Sequence, residues 1–131
     1  CGYTLLNDVS ARDVQTAHKQ WYFGKSLDGF TPIGPCIVTA DAFADYPPRL
    51  GIRSFVNGEK RQDSNTALQI FDIDHVIAEL SQGMTLKAGT IIATGTPAGV
   101  GMGMDPPQFL KPGDVVRCEI DGIGTLTNPV K

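Results

Sequence analysis

Polar side chains are concentrated near the start of the chain, in residues 7–15 (NDVSARDVQ). This segment contains two carboxylates, a guanidinium, a hydroxyl and two amides, and it follows a short apolar run that is typical of a buried strand. Functional residues are often placed in polar loops at the ends of such strands. The segment is therefore a candidate site, in which Asp8 and Arg12 would supply the charged groups.

The same segment also has a purely structural interpretation. Ser10 followed three residues later by Asp13 resembles a capping box at a helix start, with Asp in place of the usual Glu or Gln. Asp8 and Arg12 would then be an i,i+4 surface pair, which stabilises a helix by roughly 0.2–0.5 kcal/mol. Taken by themselves, composition and spacing favour this structural interpretation over a functional one.

A second candidate segment lies at residues 19–35 (KQWYFGKSLDGFTPIGP). It carries four aromatic side chains but no sustained hydrophobic period, which predicts a long loop, and long loops in compact domains are often functional. Within it Lys25 follows Gly24, where the backbone can approach a ligand closely.

A third candidate segment, residues 94–103 (TGTPAGVGMG), contains four glycines and follows a predicted buried strand at 91–93. It offers the hydroxyls of Thr94 and Thr96 together with exposed backbone amides. It lacks a Gly-Lys-Ser/Thr motif and no amphipathic helix follows it, so a phosphate-binding loop is only weakly indicated. The three candidate segments could converge on one site.

The elements that would position these segments form a strand-rich α+β pattern. Extended segments are predicted at residues 3–7, 36–40, 49–56, 59–64, 91–93, 115–120 and 123–127. A short helix is predicted at 10–18 with Val14 directed inward, and a second at 72–80 with Asp72 as its cap. In the second helix an apolar stripe recurs at residues 73, 76, 77 and 80, and Gly83 ends it.

Two dipeptides and one polar strand predict how the sheet is built. Asn57-Gly58 and Asp121-Gly122 lie between extended segments, where such pairs strongly favour tight hairpins. The strand at 59–64 is so polar that we expect it to be a solvated sheet edge. His75, on the polar side of its helix, and His18 are expected to be solvated surface residues rather than chemical groups.

Composition limits the class of protein. The 131 residues predict one domain, and a net charge of -3 with mixed acidic and basic residues argues against nucleic acid and against a polybasic membrane contact. No apolar run approaches the ~20 residues of a membrane span. The three scattered cysteines predict reduced, mostly core residues in a cytoplasmic protein. The start at Cys1, directly before an apolar strand, suggests the carboxy-terminal part of a longer polypeptide.

Five stretches of the sequence, in this order, resemble the fumarylacetoacetate hydrolase family: GYTLLNDVSARDVQ, KQWYFGKSLDGFTPIGP, NGEKRQDSNT, LSQGMTLKAGTIIATGTPAGVG and LKPGDVVRCEIDGIGTLTN. The superfamily includes acylpyruvate hydrolases, 2-oxo acid decarboxylases and hydratase/isomerases. The resemblance covers essentially the whole chain. It implies a mixed β-roll with short helices, a homodimer, and a Mg²⁺ or Mn²⁺ ion, sometimes Ca²⁺, held by three carboxylates.

The resemblance also implies roles for individual residues. Asp8 matches a metal ligand, Lys25 matches a catalytic lysine, and Asp13 matches a position that is structural rather than ligating. The residues implied to bind substrate are Arg12, Gln15, Gly95 and Thr96. The hydroxyl and amides around Thr96 suit a substrate carboxylate.

One departure from the family pattern is large. The other two metal ligands of the family form a Glu-x-Glu pair upstream of the NDxSARD segment, and the chain contains no such pair. The amino-terminal lid with its catalytic His/Glu pair is also missing. Because Mg²⁺ needs several oxygen ligands, Asp8 alone would not hold it. We therefore expect residues 1–131 to be the carboxy-terminal portion of a catalytic domain, or else an inactive relative.

These observations lead to a functional prediction. We expect a divalent-metal-dependent hydrolase that cleaves a carbon–carbon bond in a small 2,4-dioxo acid, with the cation and Lys25 stabilising an enolate. Decarboxylation of a 2-oxo acid, or hydratase/isomerase chemistry such as enol–keto isomerisation, is the second choice. A non-catalytic module that dimerises or binds a small acid is the alternative from another class. Neither nucleic acid nor membrane is an expected partner.

Overall fold

The computed structural model describes residues 1–17 and 19–131, so the prediction for His18 lies outside the described residues. The strands are β1 (Gly2–Leu6), β2 (Ile33–Thr39), β3 (Gly51–Val56), β4 (Glu59–Asn65), β5 (Val115–Ile120) and β6 (Gly124–Pro129). The α-helices are α1 (Arg12–Ala17) and α2 (Ile73–Ser81). Short 3-10 turns lie at Phe23–Lys25, Ala40–Ala42, Thr66–Leu68 and Gly101–Gly103. The predicted strand-rich α+β class is confirmed.

Two sheets carry the fold. β1 pairs with β2, and a four-stranded sheet has the order β4-β3-β5-β6. All of these pairings are antiparallel, so the mixed sheet implied by the resemblance has no parallel pair among the described strands. The polar strand β4 lies at the sheet edge, as predicted. The tight turn before it has positive φ at Asn57 (52°) and Gly58 (84°), the backbone that the Asn-Gly pair favours.

The first sheet differs from the prediction at β2. This strand begins at Ile33 rather than at residue 36, so the preceding loop is shorter and contains the 3-10 turn Phe23–Lys25. The register shifts between Tyr3 and Leu5, and the pairing then resumes with Leu5 opposite Gly34 and Leu6 opposite Ile33. Pro35 is tolerated because β2 pairs with a single neighbour among the described strands, and a proline without an N–H is acceptable at such an edge.

The strand predicted at residues 91–93 is wrong. These residues form no strand, and Ile91 is 57% exposed. The prediction used the apolar run alone, whereas a strand also needs a neighbour to pair its N–H and C=O groups. None of the six described strands pairs with this segment.

The apolar core is small and lies where the two sheets meet. Its buried side chains are Leu5, Val116 and Ile123. The helix α2 is capped as predicted, because Asp72 Oδ1 accepts a hydrogen bond from the His75 backbone N–H at 2.8 Å. Its apolar stripe contains no buried residue.

Two smaller predictions about side-chain burial are also corrected. Among the predicted core cysteines, Cys1 and Cys36 are exposed and Cys118 is half-buried. Cys1 precedes β1, and Cys36 and Cys118 lie on β2 and β5 outside the small set of buried apolar residues. In α1 the buried residue is Gln15, while Val14 is half-buried. No helix in the described part of the chain is long and apolar enough to cross a bilayer.

Candidate active site

Asp8, Ser10 and Lys25 form a polar cluster just beyond the end of β1, which we call the Asp8–Lys25 cluster. The Lys25 ammonium donates a hydrogen bond to Asp8 Oδ2 and another to Ser10 Oγ at 3.1 Å. Ser10 Oγ donates in turn to the backbone carbonyl of Asp8 at 3.2 Å. Both charged side chains remain partly accessible, since Asp8 is 34% and Lys25 27% exposed. Two residues predicted for the site therefore come together at a surface that a ligand can reach.

Backbone contacts between the two segments fix this cluster. The Ala11 N–H donates to the Gly24 carbonyl at 2.8 Å, and the Asn7 N–H donates to the Pro32 carbonyl at 2.9 Å. The hydroxyl of Thr31 donates to the Lys25 carbonyl at 2.7 Å. These bonds hold the 3-10 turn that carries Lys25 against the polar segment that carries Asp8.

Gly24 is the point of closest approach between these segments. A Cβ at this position would lie 2.9 Å from the Ala11 carbonyl oxygen and 3.0 Å from both the backbone nitrogen and Cβ of Gln15. Real Cβ atoms rarely lie so close to backbone atoms, so any other residue would push the turn away from α1. The glycine therefore sets the distance between Lys25 and Asp8.

We expect Gly24→Ala to lower kcat by about tenfold or more, because displacing a catalytic group by about 1 Å costs up to 100-fold. Steady-state kinetics on the protein at its full encoded length measures the effect, and thermal unfolding checks that the fold persists. Gly83→Ala is the matched control, since a Cβ at that position meets nothing within 4 Å. Equal activity of the two variants would show that the turn does not position a catalytic group.

Arg12 and Gln15 lie on α1 next to the cluster. Arg12 Nη1 donates to Gln15 Oε1 at 3.0 Å, and Gln15 is 5% exposed. Within residues 1–17 and 19–131, Arg12 forms no ion pair, so its positive charge is not neutralised by a carboxylate of this chain. A guanidinium held in this way suits a substrate carboxylate.

The structural interpretation of this segment is corrected. The helix α1 begins at Arg12, so Ser10 does not occupy the cap position, and its hydroxyl contacts Asp8 and Lys25 instead. The i,i+4 pair between Asp8 and Arg12 is not formed either, because Asp8 pairs with Lys25, 17 residues later. Local spacing along the sequence does not predict a pair between residues that lie so far apart in the chain.

Gly95 and Thr96 are held separately from the Asp8–Lys25 cluster. Thr96 Oγ1 accepts a hydrogen bond from Gln62 Nε2 at 2.8 Å, which ties the third candidate segment to the edge strand β4. No hydrogen bond or ion pair in the described part of the chain joins Thr96 to Asp8 or Lys25. The structure therefore brings two of the three candidate segments together and attaches the third to β4.

Gln62 was not among the predicted site residues. The sequence did contain a signal for it, since the polarity of residues 59–64 implies that one face of this strand meets water or a site. The same polarity also fits a solvated edge strand, so it does not single out Gln62.

The described residues alone do not provide a complete site for the metal expected from the resemblance. In the described residues no group of three or more histidine, cysteine, aspartate or glutamate side chains could hold a metal ion. Asp8 contributes one carboxylate to the cluster, and the Lys25 ammonium already contacts it. Because Mg²⁺ and Ca²⁺ take several oxygen ligands, a metal site here needs carboxylates from outside these residues.

Other hydrogen bonds to carboxylates join structural elements of the molecule. The Tyr46 hydroxyl donates to Asp74, which joins the loop before β3 to α2 and raises the pKa of Tyr46 to about 12. The Arg53 guanidinium donates to Asp121 at 2.8 Å, and this hydrogen bond lowers the pKa of the Asp121 carboxyl. None of these side chains contacts the Asp8–Lys25 cluster.

Comparison with known proteins identifies relatives over the whole chain. The family model described as "Fumarylacetoacetate (FAA) hydrolase C-terminal" matches residues 1–131. Oxaloacetate tautomerase YisK from Bacillus subtilis is 51% identical over 129 residues, which cover 98% of this chain and 42% of that protein. The mitochondrial oxaloacetate tautomerase fahd2 from Xenopus laevis is 52% identical over 131 residues and is covered to 41%. The chain thus spans less than half the length of these relatives.

A solved structure supports the same grouping. The fumarylacetoacetate hydrolase from psychrophilic Exiguobacterium antarcticum superposes with a TM-score of 0.94 at 55% sequence identity. The match covers 99% of this chain and 46% of that one. The strand-rich fold with two antiparallel sheets is therefore that of these relatives.

Proposed function

The chain belongs to the fumarylacetoacetate hydrolase family, and from this premise we propose that it forms part of an enzyme that tautomerises a small 2-oxo dicarboxylic acid of the oxaloacetate type. Two relatives that are 51% and 52% identical carry the name oxaloacetate tautomerase, which supports this reaction. The sequence analysis ranked carbon–carbon hydrolysis first and enol–keto isomerisation second, and these names reverse that ranking. Carbon–carbon hydrolysis remains the second candidate, supported by the similarity to a fumarylacetoacetate hydrolase at 55% identity.

The observation that carries the proposal is the Asp8–Lys25 cluster beside Arg12. In tautomerisation the enol hydroxyl loses its proton and the carbon at the far end of the C=C bond takes up a proton, so negative charge develops on the oxygen between the two transfers. A fixed ammonium such as Lys25 stabilises this charge because it is already oriented by Asp8 and Ser10. Hydrolytic cleavage of a 2,4-dioxo acid, in which water adds to one carbonyl and the carbon–carbon bond then breaks, also releases an enolate, so the cluster is compatible with both reactions.

Recognition of a dicarboxylic acid requires two contacts with anionic groups. We assign one carboxylate of the substrate to Arg12, whose guanidinium has the neutral partner Gln15. We assign the other to the Thr96 hydroxyl and the backbone amide of Gly95. In this arrangement Lys25 is left to interact with the oxygen at which charge develops.

A divalent cation is part of the proposal for the protein at its full encoded length. We propose that Asp8 is one ligand of a Mg²⁺ or Mn²⁺ ion, with Ca²⁺ as a possible substitute, and that the other carboxylates lie outside residues 1–131. In the described residues the Asp8 carboxylate is exposed enough to accept a further partner. A homodimer in the cytoplasm, without nucleic acid or membrane contact, is the assembly we propose for it.

We expect the protein at its full encoded length to accelerate the loss of the ultraviolet absorbance of enol-oxaloacetate without releasing pyruvate. A parallel assay follows absorbance loss of an acylpyruvate together with pyruvate formation. Activity in the second assay alone would establish carbon–carbon hydrolysis instead of tautomerisation. Absence of turnover in both assays, with Mn²⁺ supplied, would favour a non-catalytic module that binds a small acid.

A further inference from the structure

The edge strand β4 places one amide side chain between the third candidate segment and the sheet. Gln62 Nε2 donates to Thr96 Oγ1 and to the Pro97 carbonyl oxygen, both at 2.8 Å. On its other side, Gln62 Oε1 accepts a hydrogen bond from Ser54 Oγ on β3, also at 2.8 Å. Gln62 is half-buried, so its amide is held by these three partners.

The identities of these partners determine which way the amide faces. A peptide carbonyl oxygen can only accept, so the Gln62 atom next to the Pro97 carbonyl must be the NH₂ group. The carbonyl oxygen of the Gln62 side chain then faces Ser54, whose hydroxyl donates to it. The NH₂ group donates its two hydrogens to the Pro97 carbonyl oxygen and to the Thr96 hydroxyl oxygen.

This orientation has a consequence for the Thr96 hydroxyl. Because its oxygen accepts from Gln62, its own hydrogen does not point toward Gln62 and can be donated to another acceptor. We infer that Gln62 is a positioning residue, which sets both the place and the donor direction of the Thr96 hydroxyl toward a substrate carboxylate. This inference rests on the proposed function, in which Thr96 binds a carboxylate.

The backbone around Thr96 has little freedom to compensate for a change at Gln62. Gly99 lies against β4 so closely that a Cβ there would be 2.1 Å from the Arg61 carbonyl oxygen. Gln108 accepts from the Arg61 guanidinium, which attaches the following segment to the same strand. The segment therefore remains on β4 when Gln62 is replaced, and the expected effect is limited to the three groups that Gln62 contacts, among them the Thr96 hydroxyl.

We expect Gln62→Met to raise KM for oxaloacetate by about 10- to 100-fold, the range for losing a hydrogen bond to a charged group, with a smaller change in kcat. KM responds because the charge of a substrate carboxylate is already present before the reaction, so its hydrogen bond is made in the ground state as well as in the transition state. Thr96→Val should have the same effect. In the double variant Gln62→Met/Thr96→Val, KM should equal that of Thr96→Val.

A second variant tests whether Gln62 orients the Thr96 hydroxyl or only holds the third candidate segment on β4. In Gln62→Glu the carboxylate accepts from Thr96, which keeps a hydrogen bond to the segment but turns the hydroxyl hydrogen inward. We therefore expect its KM to be at least as high as that of Gln62→Met. A wild-type KM in Gln62→Glu would show that Gln62 only anchors the segment, and would overturn the inference.

Gln82→Glu, the same exchange at an exposed position at the end of α2, is the control and should leave KM unchanged.

Additive KM effects of Gln62→Met and Thr96→Val would also overturn the inference, because they would mean that the two residues act independently. In either case an active wild type leaves the proposed function intact. An inactive wild type would instead reject the proposed function, and the role of Gln62 with it. Thermal unfolding of each variant confirms that the KM values of folded proteins are compared.

Discussion

Lys25→Met is expected to lower kcat by about 100- to 1,000-fold, the range found when one fixed donor to a developing oxyanion is removed. KM should change less, because the ammonium contributes mainly when charge develops in the transition state. The fold should persist, since the Lys25–Asp8 pair is partly exposed and such pairs contribute about 1 kcal/mol or less to stability. Steady-state kinetics and thermal unfolding on the protein at its full encoded length measure the two effects.

Lys60→Met provides a matched control for this variant. Lys60 also pairs with an aspartate, Asp63, but on the edge strand β4, where both side chains are about half exposed. Its replacement removes the same charge and the same type of ion pair, and it should leave kcat unchanged. Loss of folding in Lys25→Met but not in Lys60→Met would mean that Lys25 is structural, and equal kcat values would exclude it from catalysis.

Asp8→Asn is expected to weaken Mn²⁺ binding by at least about 100-fold, because even residues that only support a ligand contribute 10- to 100-fold to metal affinity. Metal-dependent turnover should fall in parallel. Calorimetric titration with Mn²⁺ measures the affinity directly and does not depend on identifying the substrate. The shape of the side chain is kept, so the change isolates the charge of the carboxylate.

Asp13→Asn is the control for the metal prediction. Asp13 lies in the first turn of α1, exposed to solvent and five residues from Asp8, and the resemblance makes it structural rather than ligating. Its replacement should leave the affinity for Mn²⁺ unchanged. Retained metal binding and turnover in Asp8→Asn would contradict the assignment of Asp8 as a ligand.

Local sequence signals predicted the parts of the fold that depend on neighbours along the chain. The Asn57-Gly58 turn requires positive φ at two successive residues, and few other pairs adopt that backbone. The Asp72 cap depends only on the N–H of His75, three residues later. Such features were predictable because their energies come from contacts within a few residues.

Features that depend on distant partners were predicted less well. The apolar run at 91–93 has the composition of a strand but no neighbour among the described strands, and the apolar stripe of α2 has no buried residue. Composition does not specify the surface against which an apolar residue packs.

The candidate site shows the same division. Family resemblance identified Asp8 and Lys25, which lie 17 residues apart and meet in the structure, whereas local spacing had paired Asp8 with Arg12. Gln62 was missed because its role depends on three hydrogen bonds to Ser54, Thr96 and Pro97. The polarity of β4 indicated that something faces this strand, but not which residue.

In the proposed reaction, the Asp8–Lys25 cluster supports proton transfer next to the carbonyl of a 2-oxo dicarboxylic acid. Deuterium incorporation at carbon 3 of oxaloacetate, followed by proton NMR in D₂O, tests it most directly. With Mg²⁺ supplied, which unlike Mn²⁺ does not broaden proton resonances, the protein at its full encoded length should exchange this position faster than buffer does. Lys25→Met should return the rate close to that of buffer. Exchange by the wild type at the buffer rate, or equal rates for the wild type and Lys25→Met, would contradict the account.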